Sequence, residues 1–226
     1  MGQFNRNDYD GLVLNEVRDG TVAAAFTERT GGISESPYAS LNLGSHVGDD
    51  LAAVMENRRR VLAALGCAGD FERLLVPNQV HGDCVAVVRE GSDDELARVR
   101  EQIAEGSDAI VCVAAHVPVM LCFADCVPVV LTCPGGFAVI HSGWKGTIAR
   151  ISAKAANILC ETAACPASSV RADIGPHILG DEYEVSQELM ERFCAEFGWA
   201  NVGDSRMLDL GRAIRQALVE TGVPED

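Results

Sequence analysis

Val127-Pro128-Val129-Val130-Leu131-Thr132-Cys133-Pro134-Gly135-Gly136-Phe137-Ala138-Val139-Ile140-His141 is the stretch that decides the fold class. Two short apolar runs, 127–131 and 137–141, lie either side of turn residues and read as strands. Their apolar residues are consecutive, not alternate, as in a sheet covered on both faces. Working outward, similar runs at 22–26, 74–76, 85–88, 109–113, 119–122 and 170–174 also read as strands. Four helices are expected between them. The first follows Asp49 or Asp50 as cap, with Leu51, Val54, Met55, Leu62 and Leu65 on its apolar face. The second begins near Thr147, with Ile148, Ile151, Ala155, Ile158 and Leu159 facing the core; the third covers roughly 187–196. The fourth runs from about 210 to 220 and stops at Gly222-Val223-Pro224. Strands and helices mix without strict alternation. The expected fold is therefore an α/β (α+β) sandwich, with mixed β-sheets covered by helices in a single compact domain over 1–226. No Gly-x-Gly-x-x-Gly and no Walker loop is present, which argues against a nucleotide fold of the doubly wound kind.

Composition narrows the function classes. The 226 residues hold 18 Lys plus Arg and 33 Asp plus Glu, a formal charge of −15. Such a surface repels phosphate backbones, so no nucleic-acid groove is expected. A small anionic substrate would need a local basic pocket. No apolar run approaches the roughly 20 residues of a membrane helix. The first ten residues are polar and carry no apolar signal segment, so the expected location is cytoplasmic. Nine cysteines, an odd number, argue against a disulfide framework. Most sit in apolar runs and read as small core residues. No Cys-x-x-Cys pair exists, so a metal site must be assembled from distant segments.

Three segments pair a metal-type ligand with a tight-turn residue at a strand end: Asn78-Gln79-Val80-His81-Gly82, Ala124-Asp125-Cys126-Val127-Pro128, and Val139-Ile140-His141-Ser142-Gly143-Trp144-Lys145-Gly146. Two imidazoles and one thiolate form a sound three-ligand zinc set, with a fourth position open for chemistry. The same set suits mononuclear copper. On chemistry alone, two surface histidines and one core cysteine are the more economical reading, since nothing in the sequence shows that the three converge. Arg58 lies on the apolar stripe of the first helix while Arg59 and Arg60 lie off it. An inward arginine must find an anion, either substrate phosphate or a buried acid such as Asp108. Asn42 sits in a glycine-flanked loop, able to bind a base or ribose or simply to brace its own turn. Lys145 precedes Thr147, where free helix amides favour an anion. His116 reads as structural. Asp125 is the carboxylate nearest a ligand in sequence, but on a strand it would point away from Cys126.

Further segments extend the pattern: Phe26-Thr27-Glu28-Arg29-Thr30-Gly31-Gly32, Ser40-Leu41-Asn42-Leu43-Gly44, His46-Val47-Gly48-Asp49, Asp108-Ala109-Ile110-Val111, Ile174-Gly175-Pro176 and Tyr183-Glu184-Val185. With the three ligand segments, the ordered set resembles the bacterial laccase-domain family. That family was first called multicopper polyphenol oxidase and was later assigned as purine nucleoside phosphorylase with adenosine deaminase activity. The resemblance runs from about Phe26 to Leu210. It implies that His81, Cys126 and His141 are metal ligands and catalytic residues, with Zn2+ as cofactor and Cu2+ possible. It also implies phosphorolysis of purine nucleosides, deamination of adenosine and cleavage of methylthioadenosine, with nucleoside and phosphate as small-molecule partners. Asn42, Arg58 and Lys145 are the expected substrate-binding residues. Two departures stand out: Lys145 where the family often has Arg, which loses the planar fork, and His177 after Ile174-Gly175-Pro176. Two other functions compete. Copper oxidation of phenols is one, although five histidines with no His-x-His pair fall far short of a multicopper cluster. The other is an amide hydrolase with Cys126 as nucleophile and His81 or His141 as base.

Overall fold

A computed structural model describes residues 4–20, 22–200 and 206–225. The chain forms two compact units: residues 1–75 with 115–122, and residues 76–114 with 123–226.

The first unit opens with β1 (Asn5–Tyr9), β2 (Leu12–Asp19) and β3 (Val22–Thr27), an antiparallel sheet in the order β1-β2-β3. Asp10 and Gly11 join β1 to β2 with φ of 54° and 91°. This is the two-residue turn whose twist matches a hairpin, and Asp-Gly is its preferred sequence. The sequence reading places no strand before residue 22. The hairpin signal lay in Asp10-Gly11, not in the polar strand Asn5–Tyr9. β2 buries Leu12, Val13, Leu14 and Val17.

Residues 28–50 carry no regular element; they are ordered from the inner face of α1 (Leu51–Ala64). Asp50 caps that helix as expected, accepting from the Ala52 amide at 3.1 Å. Asn57 is fully buried. Its Nδ2 donates to Ser34 Oγ at 2.9 Å, Ser40 O at 3.2 Å and Asn42 O at 2.9 Å, while its Oδ1 accepts from the Ile33 amide at 2.8 Å. Gly32 is required by the same packing, since a Cβ there would lie 2.1 Å from the Ser40 carbonyl oxygen. Runs 74–76 and 119–122 do not form strands: Leu75 and Val119 make one isolated parallel bridge. Their apolar signal comes from burial of Leu75, Met120 and Leu121, not from a ladder.

The second unit contains β4 (Val85–Val88), α2 (Asp93–Glu105), β5 (Ala109–Cys112), β6 (Val127–Cys133), β7 (Gly136–Ser142), α3 (Trp144–Ile148), α4 (Ile151–Ala163), β8 (Arg171–Ile174), α5 (Gln187–Phe197) and α6 (Leu210–Glu220). The strands form one mixed sheet in the order β4-β5-β7-β6-β8; β4 and β5 are parallel and every other pair is antiparallel. Every residue of β5 and β6 is buried, as their unbroken apolar runs require. The expected mixed α/β architecture with two sheets is what the chain adopts.

Two helix readings change. α2 was missed because its sequence is mostly charged. Leu96, Val99 and Ile103 nevertheless line one face, and Ser92 caps the helix by accepting from the Glu95 amide at 3.3 Å. The helix expected from Thr147 is two helices broken at Arg150, whose φ is 59°. Arg150 holds that left-handed turn through ion pairs to Glu196 at 2.6 Å and Glu220 at 2.5 Å, contacts distant in sequence and invisible to periodicity. Among the described residues, no helix is long and apolar enough to cross a membrane.

Candidate metal centre

Three segments of the second unit deliver the ligands. The loop before β4 places His81 in a left-handed backbone conformation, φ 58°. Such a φ is costly for a residue with a Cβ, and the loop is held by a buried carboxylate. Asp108, fully buried just before β5, accepts from the Val80 amide at 3.2 Å, the His81 amide at 3.0 Å and the Gly82 amide at 2.7 Å. Cys126 lies in the bend that leads into β6, half-buried. The Ile178 amide donates to the Asp125 carbonyl at 3.0 Å and steadies that bend. His141 is on β7, 3% exposed. Its amide donates to the Asp108 carbonyl at 2.7 Å, and its Nδ1 lies 2.7 Å from Asp108 Oδ1.

One ligand atom from each of His81, Cys126 and His141 lies within 4.8 Å of the others. Zinc bonds of roughly 2.0–2.3 Å would set tetrahedral donors about 3.3–3.8 Å apart. The three side chains therefore need only a small contraction to share one ion. The two imidazole rings meet edge-on, centroids 4.7 Å apart. Gly143 borders them without a side chain: a Cβ there would lie 3.1 Å from Cys126 Sγ and 3.2 Å from His81 Cδ2. Two nitrogens and a sulfur, one imidazole backed by a carboxylate, fit a borderline-soft divalent ion.

Electrostatics in the metal-free group favour a charged His141. Burial opposes the charge, but hydrogen bonds to Asp108 and Cys126 overcome it and lift the pKa to about 9. Burial likewise works to raise the pKa of Asp108, yet the hydrogen bonds from His141 and the Gly82 and His81 amides hold it below the ordinary carboxylate value. The Tyr183 phenol is pushed up by burial first, and then by electrostatic interaction with Cys126 and Asp125.

The other expected site residues have definite places. Asn42 donates to Gly44 O at 3.1 Å and Asp49 Oδ2 at 2.9 Å, and accepts from the Gly44 amide at 3.1 Å. Arg58 does point inward, 7% exposed. Its acceptors are the Leu43 carbonyl at 2.9 and 2.7 Å and Ser45 Oγ at 3.4 Å, and Nη1 meets Met55 Sδ at 3.9 Å. The buried-acid alternative named Asp108, but that carboxylate is taken by His141 and three amides. Lys145 is exposed on α3, its Nζ 5.6 Å from the Trp144 ring centre. His177 serves a turn, with Nδ1 2.7 Å from the Gly175 carbonyl. His116 is exposed and pairs with Asp70 at 3.3 Å. Asp125 is not on a strand, so the strand argument does not apply to it. Sequence reading missed the role of Asp108 beside His141. It also missed Gly143, although both lie inside quoted motifs.

Fold and ligand group together define a mixed α/β protein built around a histidine–cysteine–histidine cluster. The chain belongs to the family described as multi-copper polyphenol oxidoreductase laccase, whose sequence profile matches residues 23–226. It is 39% identical over 219 residues to a purine nucleoside phosphorylase of Deinococcus radiodurans, covering 94% of this chain and 80% of that protein. It is 33% identical to adenosine deaminase RL5 from an unknown prokaryotic organism, covering 88% of this chain and 79% of that protein. The solved structure of YlmD from Geobacillus stearothermophilus superposes with a TM-score of 0.79 at 27% identity, covering 98% of this chain and 85% of that one.

Proposed function

We propose that this protein is a zinc-dependent enzyme of purine nucleosides. Its activities on this reading are phosphorolysis of the glycosidic bond, deamination of adenosine and phosphorolysis of methylthioadenosine. The observation that carries the reading is the convergence of His81, Cys126 and His141 within 4.8 Å in a chain with relatives named purine nucleoside phosphorylase and adenosine deaminase. The three side chains would hold the metal. When bound, such an ion supplies Lewis acidity, polarising oxygen and lowering the pKa of water. The protein's own residues supply the rest. Asp108 fixes the His141 ring. For phosphate we assign Arg58, an inward-facing guanidinium that meets the Leu43 carbonyl, the Ser45 hydroxyl and the Met55 thioether and lies in the field of Cys122. Lys145 is assigned to the substrate's anionic or ribose end. Asn42 is assigned to shaping the loop that Arg58 also holds.

A second reading has one observation in its favour. Cys126, His141 and Asp108 stand in the order of a nucleophile–base–carboxylate triad, with the His141–Asp108 link at 2.7 Å. A triad, however, has no use for a second imidazole against the thiol, and His81 supplies one. Copper oxidation of phenols uses the same three ligands and differs in the ion.

Metal analysis of gently purified protein, combined with a nucleoside panel run with and without phosphate, separates these readings. About one equivalent of zinc is expected, with inosine from adenosine, and free base only when phosphate is present. Full nucleoside turnover by demonstrably metal-free protein, or a zinc-loaded preparation inert to every nucleoside, contradicts the proposal. Copper with turnover of phenols alone supports the oxidase.

A further inference from the structure

One carboxylate touches two of the three ligand segments. Asp108 is fully buried, and the ladder between β5 and β7 sets it beside His141. One oxygen, Oδ1, takes both His141 Nδ1 at 2.7 Å and the His81 amide at 3.0 Å. The other, Oδ2, takes the Gly82 and Val80 amides at 2.7 and 3.2 Å. The same group thus orients one histidine through its ring and the other through its backbone. The His81 loop would not hold its left-handed residue by intrinsic preference, since φ of 58° is disfavoured wherever a Cβ is present. Three amides converging on one carboxylate form an anion nest that offsets that cost.

We propose that Asp108 is the positioning residue of the metal centre, a role that rests on the metal reading above. It fixes His141 in the tautomer with Nδ1 protonated, so that Nε2 is the atom offered to the metal. It also pins residues 80–82 so that the His81 ring arrives at the same point. The geometry makes the two functions inseparable: replacing Oδ1 disturbs both ligands at once. Partners of this kind typically govern metal affinity by about 10–100-fold. Asp173 is the internal control, an equally buried acid on β8 whose carboxylate pairs with Arg171 at 2.9 Å.

The test compares wild type, Asp108→Asn and Asp173→Asn by zinc competition against a chromophoric chelator and by the visible spectrum of the cobalt(II)-substituted proteins. Asp108→Asn is expected to lose 10–100-fold in zinc affinity and to shift the cobalt ligand-field bands, with Asp173→Asn matching wild type in both. Asp108→Asn within twofold of wild type, with an unchanged spectrum, overturns the assignment. Wild type with no measurable zinc affinity overturns this assignment and the metal reading together. Should Asp108→Asn fail to fold, nitrogen NMR of zinc-loaded wild type decides. A His141 proton on Nδ1, slow to exchange, with the metal on Nε2 supports the role; metal on Nδ1 overturns it.

Discussion

A β-carbon at position 143 would intrude between Cys126 Sγ and His81 Cδ2, at 3.1 and 3.2 Å. These contacts are tighter than ordinary packing, so one ligand must give way. Gly143→Ala is therefore expected to weaken zinc binding by about tenfold, a cost near 1.4 kcal/mol. Gly69→Ala, where nothing lies within 4 Å, should leave zinc binding unchanged. Equal zinc affinities in the two variants would show that the glycine is not making room for the ligands. His141 gives a second expectation. In the metal-free protein its pKa is raised to about 9, so at neutral pH it carries a proton that a metal must displace. Zinc affinity should rise with pH between 6 and 9, and uptake at pH 7 should release at least about one proton. Calorimetry in buffers of different ionisation enthalpy measures this; pH-independent uptake would contradict it. The same raised pKa stabilises the metal-free fold fully below pH 6.5, and that contribution fades as pH climbs through about 9. His81, Cys126 and His141 were legible in the sequence because each joins a ligand to a Gly or Pro at a strand end. Asp108 was not, because its meaning depends on the β5–β7 register, which no local pattern reveals.

At the scale of elements, α1 shows how far periodicity carries. It places Arg58 inward, but the helix's inner face is not simply apolar: Asn57, beside Arg58, holds residues 33–42 through four hydrogen bonds. Removing that amide leaves buried backbone groups without partners. Asn57→Ala should cost about 2–4 kcal/mol in urea unfolding; a loss under about 1 kcal/mol would mean water or relaxation replaces the amide. α2 makes the opposite point. Its charged sequence hid it from a search for apolar runs, yet its start is written in Ser92 and Glu95. The Glu95 carboxylate accepts from the Arg89, Glu90 and Gly91 amides at 2.9, 2.8 and 2.6 Å. Glu95→Ala should destabilise the protein by about 1 kcal/mol, read as a lower urea midpoint with an unchanged slope. The strands of the mixed sheet were legible because full burial demands continuous apolar runs. The β1–β2 hairpin was not, since β1 is polar and its only marker was the Asp10-Gly11 turn.

For the molecule as a whole, the family profile runs from residue 23 to 226, through both compact units. The ligand group itself lies entirely in the second. The net charge of −15 favours a cation at that group and disfavours anionic polymers. The central claim is that the chemistry depends on a metal held by His81, Cys126 and His141, with Cys126 a ligand and not a nucleophile. A thiolate bound to zinc attacks poorly, whereas a nucleophilic thiolate must be free. The two roles therefore answer oppositely to chelation. The deciding measurement is adenosine deamination by protein stripped of metal, verified by elemental analysis, and then titrated with zinc. The account predicts loss of activity on stripping and recovery near one equivalent of zinc. Full activity in the metal-free protein, with inhibition on adding zinc, would contradict it and make Cys126 the nucleophile.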